Sequence, residues 1–211
     1  MTQTLYFVRH GEVENPRHVV YARLPGFGLS DAGRRQALEA GRRLEAADLD
    51  LVVSSPLQRA VETATVLAEA SGVEIRLDES LVEWRLGDRW ADTVWEELPT
   101  QFPGELEAYL DHPDDLEFTD ETLVDLAERM GDAAERWSRR GTVAIVSHQD
   151  PVQAVRLQMT GRPLTDLHRD KPGHAAVLRL DRSGPGWREV EVWSPDESRE
   201  SSTIRVEETG I

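Results

Sequence analysis

The chain has 211 residues and a formal net charge of −16, with 39% hydrophobic and 30% charged residues. That mix can bury a sizeable core and lacks the basic footprint that nucleic-acid binding needs. No apolar run approaches the roughly 20 residues of a membrane helix, and the absence of cysteine excludes disulfides and thiolate metal sites.

Nearly every cation is arginine; Lys171 is the single lysine. Arginine's planar fork of donors suits phosphate, so an acidic protein can still bind an anion locally if a few arginines converge. Residues 1–4 show no basic region followed by a long apolar stretch, so no signal peptide is expected and the expected location is cytoplasmic.

In chain order, Leu5-Tyr6-Phe7-Val8 is a short apolar run ending in Arg9-His10-Gly11-Glu12. It reads as a buried parallel strand that delivers polar residues at its C-terminal edge, where ligands sit in open α/β sheets. Residues 13–29 carry Asn15-Pro16 and Pro25-Gly26-Phe27-Gly28, which is loop chemistry. Tyr21 and Arg23 lie in that loop and are candidate site-lining residues.

A helix is expected from Ser30 as N-cap, with Asp31 in its first turn. Leu49 to Val53 form a second strand, which stops at Ser54-Ser55-Pro56. Ser55 then reads as the cap and Pro56 as the first position of the next helix. Arg59 falls in that helix's first turn, where a cation is unfavourable unless it faces solvent or serves an anion held there. Residues 73–77 form a third strand.

The stretch from about 78 to 119 is acidic and rich in bulky aromatics, including Trp84, Trp90 and Trp95, and reads as a helical lid inserted over the sheet edge. A helix with strict apolar spacing follows from Leu123 to Trp137. Thr142 to Val146 is the clearest strand, ending in Ser147-His148-Gln149-Asp150, with another helix after it. Ala175 to Leu180 and Trp187 to Val192 close the pattern as a hairpin, so at least one strand should be antiparallel. Residues from about 196 to 211 read as a polar tail.

Three strand ends thus carry polar groups: Arg9-His10, Ser54-Ser55 leading to Arg59, and Ser147-His148. Strands that feed helices place all three at one edge of a parallel sheet. Two histidines and two arginines converging there make a phosphate pocket. One neutral imidazole could attack phosphorus, and a carboxyl group on the lid would protonate the leaving oxygen. Gln149 could lend its backbone N–H. His18, His112, His168 and His174 lack metal-ligand spacing and read as surface residues, with His18 or His174 as the ones that could border the site. Because the arginines supply the positive charge, no metal and no other cofactor is expected.

Arg9-His10-Gly11-Glu12, the run from Ser54 to Ala64, and Val146-Ser147-His148 together resemble the histidine phosphatase superfamily, in the branch that includes cofactor-dependent phosphoglycerate mutase. The resemblance implies an α/β fold: a three-layer sandwich around a mostly parallel central sheet with one antiparallel strand. It implies one domain over residues 1–195, with His10 as nucleophile and Arg9, Arg59 and His148 binding the phosphoryl group. Leu81-Val82-Glu83 is similar to the family's Leu-x-Glu segment, which would make Glu83 the proton donor. Past Glu83, Gly87-Asp88-Arg89-Trp90 is one residue out of step with the family's usual pattern, which bears on the Glu83 assignment, and Asn15 stands one residue early with Pro16 in its slot, which touches substrate contacts and leaves the phosphate pocket intact.

The expected activity is hydrolysis of a small phosphorylated metabolite through a phosphohistidine. The alternatives are mutase-type phosphoryl transfer and a catalytically weak phospho-ligand-binding module. A homodimer is expected if the lid tryptophans are exposed.

Overall fold

In the computed structural model, which describes residues 3–195, the apolar runs pair into one six-stranded sheet. The strands are β1 (Thr4–Arg9), β2 (Leu51–Ser54), β3 (Ile75–Leu77), β4 (Val143–Ser147), β5 (Val177–Ser183) and β6 (Gly186–Trp193). Their order is β3-β2-β4-β1-β5-β6. The first four run parallel, and β5 is antiparallel to both β1 and β6. The expected polar tail, residues 196–211, lies outside the described residues.

Period-2 side-chain alternation makes this sheet the middle of three layers. Leu5, Phe7, Val53 and Ile145 point to one face, where they pack with α6 (Leu123–Ser138) and α7 (Gln149–Met159). Tyr6, Val8, Val52 and Val146 point to the other, against α1 (Asp31–Leu44) and α2 (Gln58–Ser71). The α1 cap is as expected: Ser30 accepts from the Gly33 N–H at 3.0 Å. On α6, Thr122 and Asp125 form a reciprocal capping box.

Strand register positions the site. Arg9 lies opposite Ser147, and Ser54 opposite Val146. The His10 N–H donates to Ser147 O at 2.9 Å, and the Ser55 N–H to Val146 O at 2.9 Å. The three polar strand ends therefore come out side by side.

Two details depart from expectation. Helix α2 begins at Gln58, with Leu57 as its N-cap, so Ser55 is not the cap and Pro56 is not its first residue. Ser55 is instead committed to His148, described below. The last hairpin starts at Val177, because Ala175 takes a left-handed conformation with φ 52°. Its N–H donates to His10 O at 3.1 Å, which folds the chain back onto the end of β1.

Residues 78–119 form short helices, α3 (Leu86–Arg89), α4 (Leu98–Gln101) and α5 (Glu105–Asp111), joined by turns. They pack on the α6 side of the sheet. Trp84 and Trp90 are only 1% and 3% exposed, and only Trp95 of these three reaches solvent, at 44%. The tryptophans that were to suit a dimer are thus mostly core, and the dimer expectation loses its premise.

Glycine is required where β1 gives way to its loop. A Cβ on Gly33 would sit 2.0 Å from Glu12 O, and one on Gly11 would sit 2.5 Å from Gly33 O. Backbone meets backbone at this point, so nothing can swing aside. Gly33→Ala is expected to lower unfolding stability by about 1–3 kcal/mol. Gly131→Ala should change it by less than about 1 kcal/mol, because the atoms its Cβ meets belong to the end of the Gln158 side chain. Paired urea denaturation curves check the contrast.

Candidate active site

His10 follows β1 directly and is 1% exposed. Its Nδ1 lies 2.7 Å from Gly11 O, an acceptor, so Nδ1 carries the proton. Arg59 Nε–H donates to His10 Nε2 at 3.2 Å, so Nε2 presents its lone pair. Burial holds the His10 pKa well below the ordinary histidine value, and the Arg59 and Arg9 charges push the same way. The side chain is a neutral imidazole with a defined nucleophilic nitrogen.

His148, the N-cap of α7, is fully buried, with its ring centroid 5.2 Å from that of His10 in an edge-on arrangement. Its Nε2 bonds Ser55 Oγ at 2.9 Å. Its Nδ1 has no partner and lies 3.8 Å from Glu83 Oε2. Burial, then Arg59, drives the His148 pKa well below its usual value. Arg59 is 1% exposed and donates from Nη2 to Ala22 O at 2.7 Å. Arg9 donates to Pro172 O at 3.0 Å and to His174 Nε2 at 2.8 Å, and its Nε has no partner. A buried polar atom without a partner costs about 1–3 kcal/mol. Arg9 Nε and His148 Nδ1 both fall at this one place.

Glu83 comes from the lid. Its Oε1 accepts from the Trp84 N–H at 2.9 Å, and its Oε2 is 4.0 Å from Arg59 Nη2. Burial first, and then the nearby Asp150 charge, raise the Glu83 pKa to about 7, against the opposing pull of Arg59. The segment that carries it is pinned from behind. Arg129 on α6 donates to Ser80 O at 2.8 Å and pairs with Glu121 at 2.6 Å. Glu121 in turn accepts from the Arg85 N–H at 3.0 Å and the Trp84 indole N–H at 2.8 Å. Ser147 Oγ holds Leu81 O at 2.7 Å.

Of these groups, Arg9, His10 and Glu83 line the floor of a cavity of about 720 Å³, with Arg59 and His148 set against His10. Tyr21 lines it and takes the Arg59 guanidinium over its ring at 4.7 Å. Gln149 lines it as the first residue of α7, where a backbone N–H has no partner in the helix ladder. Arg23 does not join them: it pairs with Asp88 in a separate hollow. Among the described residues no group of His, Asp and Glu is placed to hold a metal ion.

The model of the histidine phosphatase superfamily (branch 1) matches residues 5–194. The chain belongs to this family. An uncharacterized protein of Mycobacterium tuberculosis is 38% identical to this histidine phosphatase over 196 residues, 85% of this chain and 90% of the relative. Phosphoserine phosphatase 1 of Hydrogenobacter thermophilus is 30% identical over 165 residues, 76% of this chain and 78% of its own. A mycobacterial glucosyl-3-phosphoglycerate phosphatase solved with inorganic phosphate superposes with a TM-score of 0.76 at 26% identity, over 92% of this chain and 97% of that one.

Sequence reasoning placed the phosphatase's strand ends together but missed residues around them. His174, read chiefly as a surface residue with bordering the site as the lesser alternative, has its ring centroid 6.1 Å from that of His10 and accepts from Arg9. Burial, then the Arg9 charge, lowers its pKa to about 3, so it stays a neutral acceptor. No spacing signal could have found it, because the left-handed turn at Ala175 brings it in. Of the other histidines, His112 is exposed, and His168 is half-buried with its ring on Tyr109 O at 2.6 Å. His18 is exposed but lines the cavity mouth. Glu121 and Arg129 could have been suspected only as a buried pair.

His174→Ala removes one acceptor from Arg9. It is expected to weaken competitive inhibition by inorganic phosphate about fivefold, the worth of one hydrogen bond of ~1 kcal/mol, with the melting temperature nearly unchanged. Inhibition constants measured beside thermal melts test this.

Proposed function

We propose that this histidine phosphatase hydrolyses a small phosphomonoester in two steps through a phosphohistidine. His10 Nε2 forms a bond to phosphorus while the bond to the leaving oxygen breaks, and Glu83 gives its proton to that oxygen. Water then attacks the phosphohistidine, Glu83 takes the water's proton, and inorganic phosphate departs from a restored His10. Arg9, Arg59 and His148 hold the phosphoryl oxygens, with the Gln149 N–H at the start of α7.

The observation that carries this reading is the protonation pattern. Nδ1 of His10 is committed to Gly11 O and Nε2 is bare of hydrogen, while the nearby carboxyl is raised to about 7. A base kept neutral and an acid kept protonated at working pH are the complementary pair this chemistry needs. The two guanidinium groups supply the charge stabilisation that a metal ion would otherwise bring, so the reaction is read as metal-independent. The reading includes a cytoplasmic enzyme, since phosphorylated metabolites are charged and held behind membranes. The region of residues 78–119 acts as a lid whose walls select the leaving group.

His10→Ala is expected to remove turnover of every phosphomonoester by at least about 10³-fold while the fold survives; activity near the wild-type level would refute the nucleophile assignment. Glu83→Gln should slow alkyl phosphates by about 10²-fold or more and p-nitrophenyl phosphate, whose leaving group needs no proton, far less. The pH dependence has a definite sign. The active form of Glu83 is protonated, so kcat/KM for alkyl phosphates is high below about 7 and falls as pH rises through about 7. The limb should vanish in Glu83→Gln, and a limb that persists there would belong to another group. Activity should survive excess chelator.

A further inference from the structure

The cavity wall beyond the phosphoryl end has a chemistry of its own. Trp84, Trp90 and Tyr109 line it from the lid. Their polar handles are turned inward or already used. The Trp84 indole N–H donates to Glu121 O at 2.8 Å and the Trp90 indole N–H to Glu105 Oε2 at 2.9 Å. The Tyr109 hydroxyl donates to Asp150 at 2.9 Å and accepts from Lys171 at 3.0 Å. What remains on offer is ring surface, and most of it belongs to Trp95, which also lines the cavity and is 44% exposed.

The polar groups facing the cavity beyond the phosphoryl end include the carboxylates Glu14 and Glu96, and a carboxylate only accepts; Glu12 is already taken by the Ser30 hydroxyl at 2.6 Å. Cations are not free to balance them. Lys171 is spent on Asp150 at 2.8 Å. Arg17, outside the lining, pairs with Asp92 at 3.3 Å. Among the described lining residues, Arg9 is the only arginine, and it belongs to the phosphoryl end.

We infer that the leaving group is a carboxylate-free, hydroxyl-rich alcohol, a sugar or polyol, whose hydroxyls donate to Glu14 and Glu96 and whose C–H face stacks on Trp95. This rests on the phosphatase reading above and deepens it. It separates the protein from the substrates in its relatives' names, since phosphoserine and glucosyl-3-phosphoglycerate each carry a carboxylate beside the phosphate. A second anion in this cavity meets like charge and finds no unpaired cation.

Matched pairs of esters test it on the full-length protein. Glycerol 3-phosphate differs from 3-phosphoglycerate, and phosphoethanolamine from phosphoserine, only at the carboxylate carbon; glucose 6-phosphate is compared with 6-phosphogluconate. The expected result is a kcat/KM at least tenfold higher for the carboxylate-free member of each pair, with glucose 6-phosphate above phosphoethanolamine. Glu14→Gln and Glu96→Gln should each narrow the ratios. Equal or better turnover of the carboxylates would overturn the inference and leave the phosphatase reading standing, as would phosphoethanolamine ranking above the sugar phosphate. No turnover of any ester, p-nitrophenyl phosphate included, would overturn both.

Discussion

The contact between Arg59 Nε and His10 Nε2, at 3.2 Å with both side chains 1% exposed, is the constraint the rest of the structure serves. A guanidinium this deep keeps its charge only if the surroundings hold it. Ala22 O and the Glu83 carboxyl do so from two sides. In return its positive field, added to burial, keeps both imidazoles neutral. The same burial works in the opposite direction on Glu83, because desolvation disfavours whichever form is charged. One water-poor place at the sheet edge thereby holds a neutral imidazole and a carboxyl whose pKa is raised to about 7.

Holding such a place open needs rigid support, and the support comes from several layers. The parallel register of β2, β4 and β1 sets the strand ends abreast. Close backbone approach at Gly11 and Gly33 locks the loop after His10 onto α1. Thr63 on α2 donates to Arg59 O at 2.8 Å and accepts from the Gly11 N–H at 3.1 Å, tying the arginine's helix to the histidine's loop. The pair Glu121–Arg129, with side chains 8% and 22% exposed, braces the backbone around Glu83 from the α6 side. A carboxyl on an irregular segment gains its precision from that brace.

The cavity above this floor divides into two chemistries. The floor is cationic and suits a phosphoryl group. The wall is aromatic and acidic and suits an alcohol that donates hydrogen bonds. The two halves come from different parts of the chain, with the floor on strand ends and helix starts and the wall on the lid and the loop after Gly11. Chemistry is thus held by the sheet and selection by the segments laid over it, which can vary without disturbing the sheet.

Much of this was legible beforehand because it is local. The apolar runs ending in Arg9-His10, Ser54-Ser55 and Ser147-His148, each followed by a helix, dictated parallel strands with polar groups at one edge, and the Ser30 cap, the α6 periodicity and the closing hairpin were equally readable. Tertiary structure alone decided the rest. Arg23 and Tyr21 sit two residues apart in one loop, yet one pairs outward with Asp88 and the other lies under Arg59. Ser55 looked like a helix cap and became the partner of His148, because strand register put the two side chains face to face. His174 is 164 residues beyond His10 in the sequence (174 − 10) and reaches it through a left-handed Ala175 that no residue preference foretells. Local sequence sets which residues leave a strand end and in what order, whereas which distant side chain meets them depends on burial and register summed over the whole fold.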